Sequence, residues 1–202
     1  MAALRTPAMA ATLVIAALTA CGGTRESPEQ PSPRPVSRYP YTEADVRFMA
    51  DMIGHHAQAL AMAALAPSNG ASPEVLRLAE RITAGQHDEI ASMERWLRAK
   101  GKPLPDPHHA MHGHLMPGML TEAQMRELEQ ARGPEFDRLF LTYMIQHHRG
   151  AVEMVKQLYG TPGAAQDDTV FKFADDVGVD QTTEIARMER MLDAMPAGEP
   201  AS

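Results

Sequence analysis

Cysteine is nearly missing from this sequence: Cys21 is the only one. No intramolecular disulfide can form, and no cysteine sits in a motif for a catalytic thiol. Basic residues are outnumbered, 19 against 26 acidic, giving a formal net charge of −7, which suits nucleic acid poorly. Long apolar runs are absent too; Ala10 to Ala17 is too short to span a membrane. There is no Gly-x-Ser-x-Gly and no phosphate loop, so serine-hydrolase and nucleotide chemistry have no anchor. Aromatic residues make up 5%, with one Trp and five Phe. Against these shortages stand 15 Met and nine His. Methionine packs adaptably and offers metals a soft thioether.

Residues 1–20 read as an export signal, with Arg5 ahead of the apolar run. Leu18-Thr19-Ala20-Cys21 resembles a bacterial lipobox, in which cleavage precedes a lipidated Cys. Removal of residues 1–20 takes away one basic residue and no acidic one, so the charge becomes −8. Residues 21–40 carry Pro at 28, 31, 33, 35 and 40 and read as an extended tether. The expected location is therefore the periplasmic or extracellular side of a membrane, with the lipid as the membrane contact.

An internal repeat organises the rest. Phe48 to Ala63 returns as Phe140 to Val155 at a constant spacing of 92 residues, with Met-Ile-x-His-His in the middle of both copies. At roughly 100° per residue, Phe48, Met52, His55, His56, Ala59 and Met62 share one helix face. So do Phe140, Met144, His147, His148, Ala151 and Met154. The histidines thus fall inside an apolar stripe, and a buried polar group needs a partner. A second repeat, Gln86-x-x-Glu89-Ile90-Ala91-x-Met93, returns as Gln181-x-x-Glu184-Ile185-Ala186-x-Met188 at a spacing of 95. Two copies of a helix pair predict an all-α fold, a four-helix bundle over residues 41–196 with a tail at 197–202. Thr42 with Asp45, Ser72-Pro73 and Thr121 with Gln124 read as helix starts, the last opening a short helix. Gly133-Pro134 opens the third long helix, and the fourth begins somewhere between Thr161 and Asp168.

Residues 103–119 form a long connection holding His108, His109, Met111, His112, His114, Met116 and Met119. His-rich tracts point to metal, and residues His108 to Met116 show no apolar periodicity that would bury them.

Metal ligation is the sharpest chemistry available. Met52 and His56, like Met144 and His148, are four apart and can converge; Met62 and Met154 lie seven beyond His55 and His147. Thioether with imidazole suits copper, Cu(I) above all. Glu89 and Glu184, with Gln86 and Gln181, are placed to meet the His pairs across the bundle. A carboxylate di-iron centre needs Glu three residues before His, where Met52 and Met144 stand instead. Asp51 is replaced by Tyr143 in the second copy, and His87 by Thr182, so neither belongs to a repeated site.

The repeated Met-Ile-x-His-His, the Gln-x-x-Glu-Ile-x-x-Met segments and Met116-Pro117-Gly118-Met119 together resemble the bacterial domain of unknown function 305 family, over about Tyr41 to Met195. That resemblance implies a ferritin-like helical bundle, a mostly secreted protein, and His55, His56, His147 and His148 as signature positions. It also implies copper, which one family member binds. The expectation is a tethered lipoprotein that binds copper for sequestration or delivery without catalysis. Two alternatives stay open: a redox-active metalloprotein of the Cu(I) oxidase type, and a structural or partner-binding bundle whose buried His are hydrogen-bonded. The sequence identifies no protein partner.

Overall fold

The computed structural model describes residues 40–105 and 116–196. Among these the protein is all-α, with five helices and no strand: α1 (Glu43–Ala64), α2 (Pro73–Ala99), α3 (Glu122–Gln130), α4 (Gly133–Gly160) and α5 (Asp168–Asp193). Residues 1–39, which hold the expected signal and nearly all of the expected Cys21 tether, and the 197–202 tail lie outside the described residues, as do His108, His109, Met111, His112 and His114.

Local chemistry sets the helix starts. Thr42 and Asp45 form a reciprocal capping box at α1, and Thr121 and Gln124 form one at α3. Ser72 caps α2 ahead of Pro73, a residue that needs no backbone N–H there. Asp167 caps α5, accepting from the backbone N–H of Thr169 and Val170. The repeats end differently. α1 stops before Pro67, whereas Tyr159 occupies the matching position in α4, and that helix continues to Gly160.

α1 packs on α2, α4 on α5, and the two pairs join through α1 and α4, with α3 against α4. The contacts are bundle-like. Buried polar residues pin the ends. The Asn69 side chain donates to the carbonyls of Leu128, Glu129 and Ala131. Asp137 accepts from the Ser72 N–H, and Asp45 from the Ala165 N–H at 2.7 Å.

The apolar core comes in two parts. One gathers Met62, Ala63, Leu78, Ile82, Phe136, Phe140, Met144 and Met188. The other gathers Phe48, Met49, Met52, Met93, Trp96, Met154, Val155 and Val177. The early part of α1 therefore meets the late part of α4, so these helices run antiparallel, as do α2 and α5. Between the two parts, every long helix contributes polar side chains: His55 and His56, Gln86 and Glu89, His147 and His148, Gln181 and Glu184. A polar layer crosses the middle of the bundle.

Candidate functional site

All four histidines of the layer are fully buried, at 0% exposure. The helical stripe dictates this: each His pair sits between Met and Ala residues that face the same core. The rings of His55 and His147, one from each repeat, lie against each other with centroids 3.9 Å apart and planes tilted by 37°. His56 and His148 stand outside them, at 6.4 and 6.2 Å from their neighbours.

Each outer histidine meets the glutamate expected from the sequence. His148 Nε2 donates to Glu184 Oε2 at 2.7 Å. His56 Nε2 lies 2.6 Å from Glu89 Oε2, but off the direction of a hydrogen bond, so the two halves are not equivalent. Burial opposes ionisation of Glu184, yet the contacts with His148 and Arg81 outweigh it and hold its carboxyl below the ordinary range. Gln86 and Gln181 are buried in the same layer without partners of their own for Gln86 Nε2 and Oε1 or for Gln181 Oε1.

The inner pair differs more. His55 Nε2 lies 3.0 Å from the carbonyl of Pro117. A carbonyl only accepts, so Nε2 carries the proton and Nδ1 is the lone-pair nitrogen. His147, its counterpart, makes no aligned hydrogen bond on either ring nitrogen, although its ring approaches the His55 backbone closely enough to oppose the fall in its pKa. Nδ1 is unpartnered in all four rings. Burial, then repulsion from His56, pushes His55 down to about 3 against the opposing contact with Pro117. Burial, then His55, holds His147 well below the ordinary imidazole range. Both inner rings are neutral at physiological pH, the form in which imidazole binds metals.

The Pro117 carbonyl is held by backbone against backbone. A Cβ on Gly150 would lie 1.9 Å from Pro117 O, and one on Gly118 would lie 2.5 Å from Gln146 O. Gly118 also sits at φ +77°, where side chains are strained. Gln58 then clasps the segment, donating to Leu120 O at 3.0 Å and accepting from Leu120 N at 2.7 Å. Met119 and Leu120 are buried as a result. The end of the long connection, from Pro117 to Leu120, is thus packed; of the residues expected to bury little, His108 to Met116, only Met116 is among those described, and it is half-buried.

The methionines split by antiparallel packing. Met52 and Met154 lie on one side of the layer, and Met62 and Met144 on the other. Met116, Pro117, Phe48 and Met154 line a small pocket of about 180 Å³ beside α1 and α4. Sequence reasoning about ligands passed over Met49, Met93 and Met188, all fully buried, although the repeat offered a signal: Met93 and Met188 occur in both copies of the Gln-x-x-Glu segment. Among the described residues no three His, Cys, Asp or Glu side chains converge as a ready metal centre. Paired imidazoles occupy the layer instead, with methionines in the apolar cluster on either side of it. His87 and Asp51 are exposed, apart from it.

Two helix pairs around a buried, internally repeated histidine layer define a class of all-α proteins, and residues 45–192 match the domain of unknown function DUF305. The chain belongs to the DUF305 family. A DUF305 fragment from Deinococcus radiodurans is 33% identical, with 77% of this chain and 99% of that one covered and a TM-score of 0.67. A candidate secreted DUF305 protein from Streptomyces coelicolor is 32% identical over 74% of this chain and 92% of that one, TM-score 0.64. CopM in its Cu(II)-bound form is 31% identical over 74% and 95%, TM-score 0.62. CopM is also known in a Cu(I)-bound form, 28% identical over 76% and 97%, TM-score 0.58. No match is found among curated proteins. No helix among the described residues is long and apolar enough to cross a membrane.

Proposed function

We propose that this protein binds copper in its histidine layer and stores or hands on the ion outside the cytoplasm, held at a membrane by a lipid on Cys21. Its scaffold in this reading is a ferritin-like four-helix bundle made by duplication of a helix pair, with α3 in the connection. One observation carries the reading: four imidazoles are buried with Nδ1 unpartnered, and His147 makes no aligned hydrogen bond through either ring nitrogen, only an approach to the His55 backbone. An unpaired buried polar atom costs about 1–3 kcal/mol, a burden that a metal bond would relieve. Neutral imidazole beside Met52, Met62, Met144 and Met154 is a soft donor set, suited to copper and above all to Cu(I). Glu89 and Glu184 would orient His56 and His148 through Nε2, leaving Nδ1 for the ion. The likeness to CopM, which has Cu(II)- and Cu(I)-bound forms, supports the same reading. Residues His108 to Met116, with Met119, would capture ions ahead of the layer. A purely structural role accounts for His148 on Glu184, but not for the misaligned His56 or for His147.

Thermal unfolding with Cu(I) under anaerobic conditions tests this. Copper bound only by the folded form stabilises it by RT ln(1 + [L]/Kd), about 2.7 kcal/mol at a hundredfold excess over Kd. That is a rise of roughly 5–10 °C for a domain of this size. His56→Leu with His148→Leu should abolish the rise while the metal-free protein stays folded, because Glu89 and Glu184 keep access to water at 19% and 18% exposure. Ions held by a loop alone give no such rise. A parent protein that melts identically with and without copper refutes the proposal.

A further inference from the structure

The bundle is closed where α1 meets α2, α4 meets α5 and α1 meets α4, but α2 and α5 stand apart. Between them lies a cleft of about 440 Å³, a size typical of small-molecule sites. Its charges are sorted along its length. α2 and α5 are antiparallel, so Arg81, Arg187 and Arg190 fall at one end, and Glu89 and Asp180 at the other. Arg81 to Glu89 is eight residues of helix, about 12 Å. Arg81 reaches Glu184 at 3.4 Å in the middle. Arg187 and Arg190 have no carboxylate partner among the described residues. At the far end, Asp180 is exposed and pairs with no basic side chain among the described residues, and desolvation, then the neighbouring Glu89, Asp176 and Glu184, raises its carboxyl.

The floor between the poles is the second observation. Gln86 is 3% exposed and lines the cleft, yet neither its amide N–H₂ nor its carbonyl has a partner. Gln181, 2% exposed and its repeat counterpart, leaves its carbonyl oxygen unpaired beside it. A side-chain amide lacking both a donor and an acceptor is matched by a group that supplies both at one spacing, as a peptide bond does.

We propose that the α2–α5 cleft binds a short zwitterionic peptide of two or three residues. Its terminal ammonium lies toward Glu89 and Asp180, its peptide amides on Gln86 and Gln181, and its carboxylate between Arg187 and Arg190. Two or three residues span about 7–10 Å, which the arginine side chains extend to the pole separation. A hydrated metal ion would use the acidic pole and leave Arg187 and Arg190 without purpose; a single amino acid is too short for both poles. The cleft shares Gln86, Gln181 and Glu89 with the histidine layer, so peptide binding is measured without metal.

The test is calorimetric titration of the intact, metal-free protein with triglycine, in the presence of a chelator. The expected result is saturable one-to-one binding, weakened at least tenfold when the peptide is N-acetylated or C-amidated. Arg187→Gln with Arg190→Gln should bind free and amidated triglycine alike. Gly85→Phe should abolish binding, since a Cβ at Gly85 meets nothing within 4 Å and the ring would fill the cleft. Circular dichroism establishes that each variant is folded, and Asp180→Asn gives a second reading in which acetylation no longer matters. Absence of saturable binding, equal binding of the blocked peptides to the parent, or binding unchanged in folded Gly85→Phe overturns the proposal.

Discussion

Replacing Gly150 with alanine asks whether the Pro117–Gly118 segment is clamped over the histidine layer. Inside a helix the change by itself is worth about 1 kcal/mol in favour of alanine. Here the new Cβ would lie 1.9 Å from Pro117 O, 2.4 Å from Pro117 C and 2.6 Å from Gly118 Cα. All three are backbone atoms, so no side chain can swing aside and the segment must lift. Lifting it removes the acceptor of His55 Nε2, which strands a fully buried N–H at a cost of about 1–3 kcal/mol. It also uncovers part of Met119 and Leu120, each worth about 1.5–3 kcal/mol when wholly buried. The expected net loss is about 2–4 kcal/mol, a fall in Tm of roughly 5–15 °C. Gly178→Ala is the control, since its Cβ would meet only Val155 Cγ1 at 3.7 Å, and it should gain about 0.5–1 kcal/mol. Calorimetric melting of both variants and the parent decides the matter. A Gly150→Ala protein that melts at or above the parent refutes the clamp.

Acid should destabilise the metal-free protein early. His55 and His147 stay neutral when folded but take up protons near pH 6.5 when unfolded, so the unfolded state binds more protons below that pH. Stability therefore falls by about 1.4 kcal/mol per pH unit for each ring between pH 6.5 and the folded values, and urea melts at pH 7, 6 and 5 check the slope. Glu184, held low when folded, adds a further loss as the pH drops through its folded range. His147→Leu should stabilise the metal-free protein by about 1 kcal/mol and halve the acid slope, because it removes two unpartnered buried nitrogens; a loss above about 2 kcal/mol in chemical denaturation would show that His147 has a structural partner. Cys21→Ser should release the exported protein from membranes, as scored by fractionation after a high-salt wash, because each lipid CH₂ buried contributes roughly 0.8 kcal/mol to the anchor; retention in the pellet counts against lipidation.

Helix starts were legible because they are local. Thr42 with Asp45 and Thr121 with Gln124 carry their own hydrogen-bond partners within four residues, Ser72 accepts from the Val75 N–H just past Pro73, and each caps a helix. The 3.6-residue period likewise placed all four histidines on the buried stripe, and the repeat brought Glu89 and Glu184 to the outer rings. What the sequence hid depends on distant chain segments. Equal spacing made Met52 and Met144 look alike, but antiparallel packing sends them to opposite sides of the layer. The contact between the His55 and His147 rings exists only once α1 and α4 pack. The Pro117 carbonyl has no side-chain signature, and the two glycines that let it approach, Gly118 and Gly150, lie 32 residues apart. That approach also breaks the repeat: Gln58 clasps Leu120, while Gly150 holds the matching position in the second copy and admits the segment.

Anomalous scattering at the copper edge, from crystals of the exported protein loaded with Cu(I), tests the central claim most directly. The account predicts density within bonding distance of an unpartnered nitrogen of His147 or of Nδ1 in the other three rings, with a methionine sulfur from Met52, Met62, Met144 or Met154 beside it. Copper found only outside the histidine layer, with His147 still unpartnered, would contradict it.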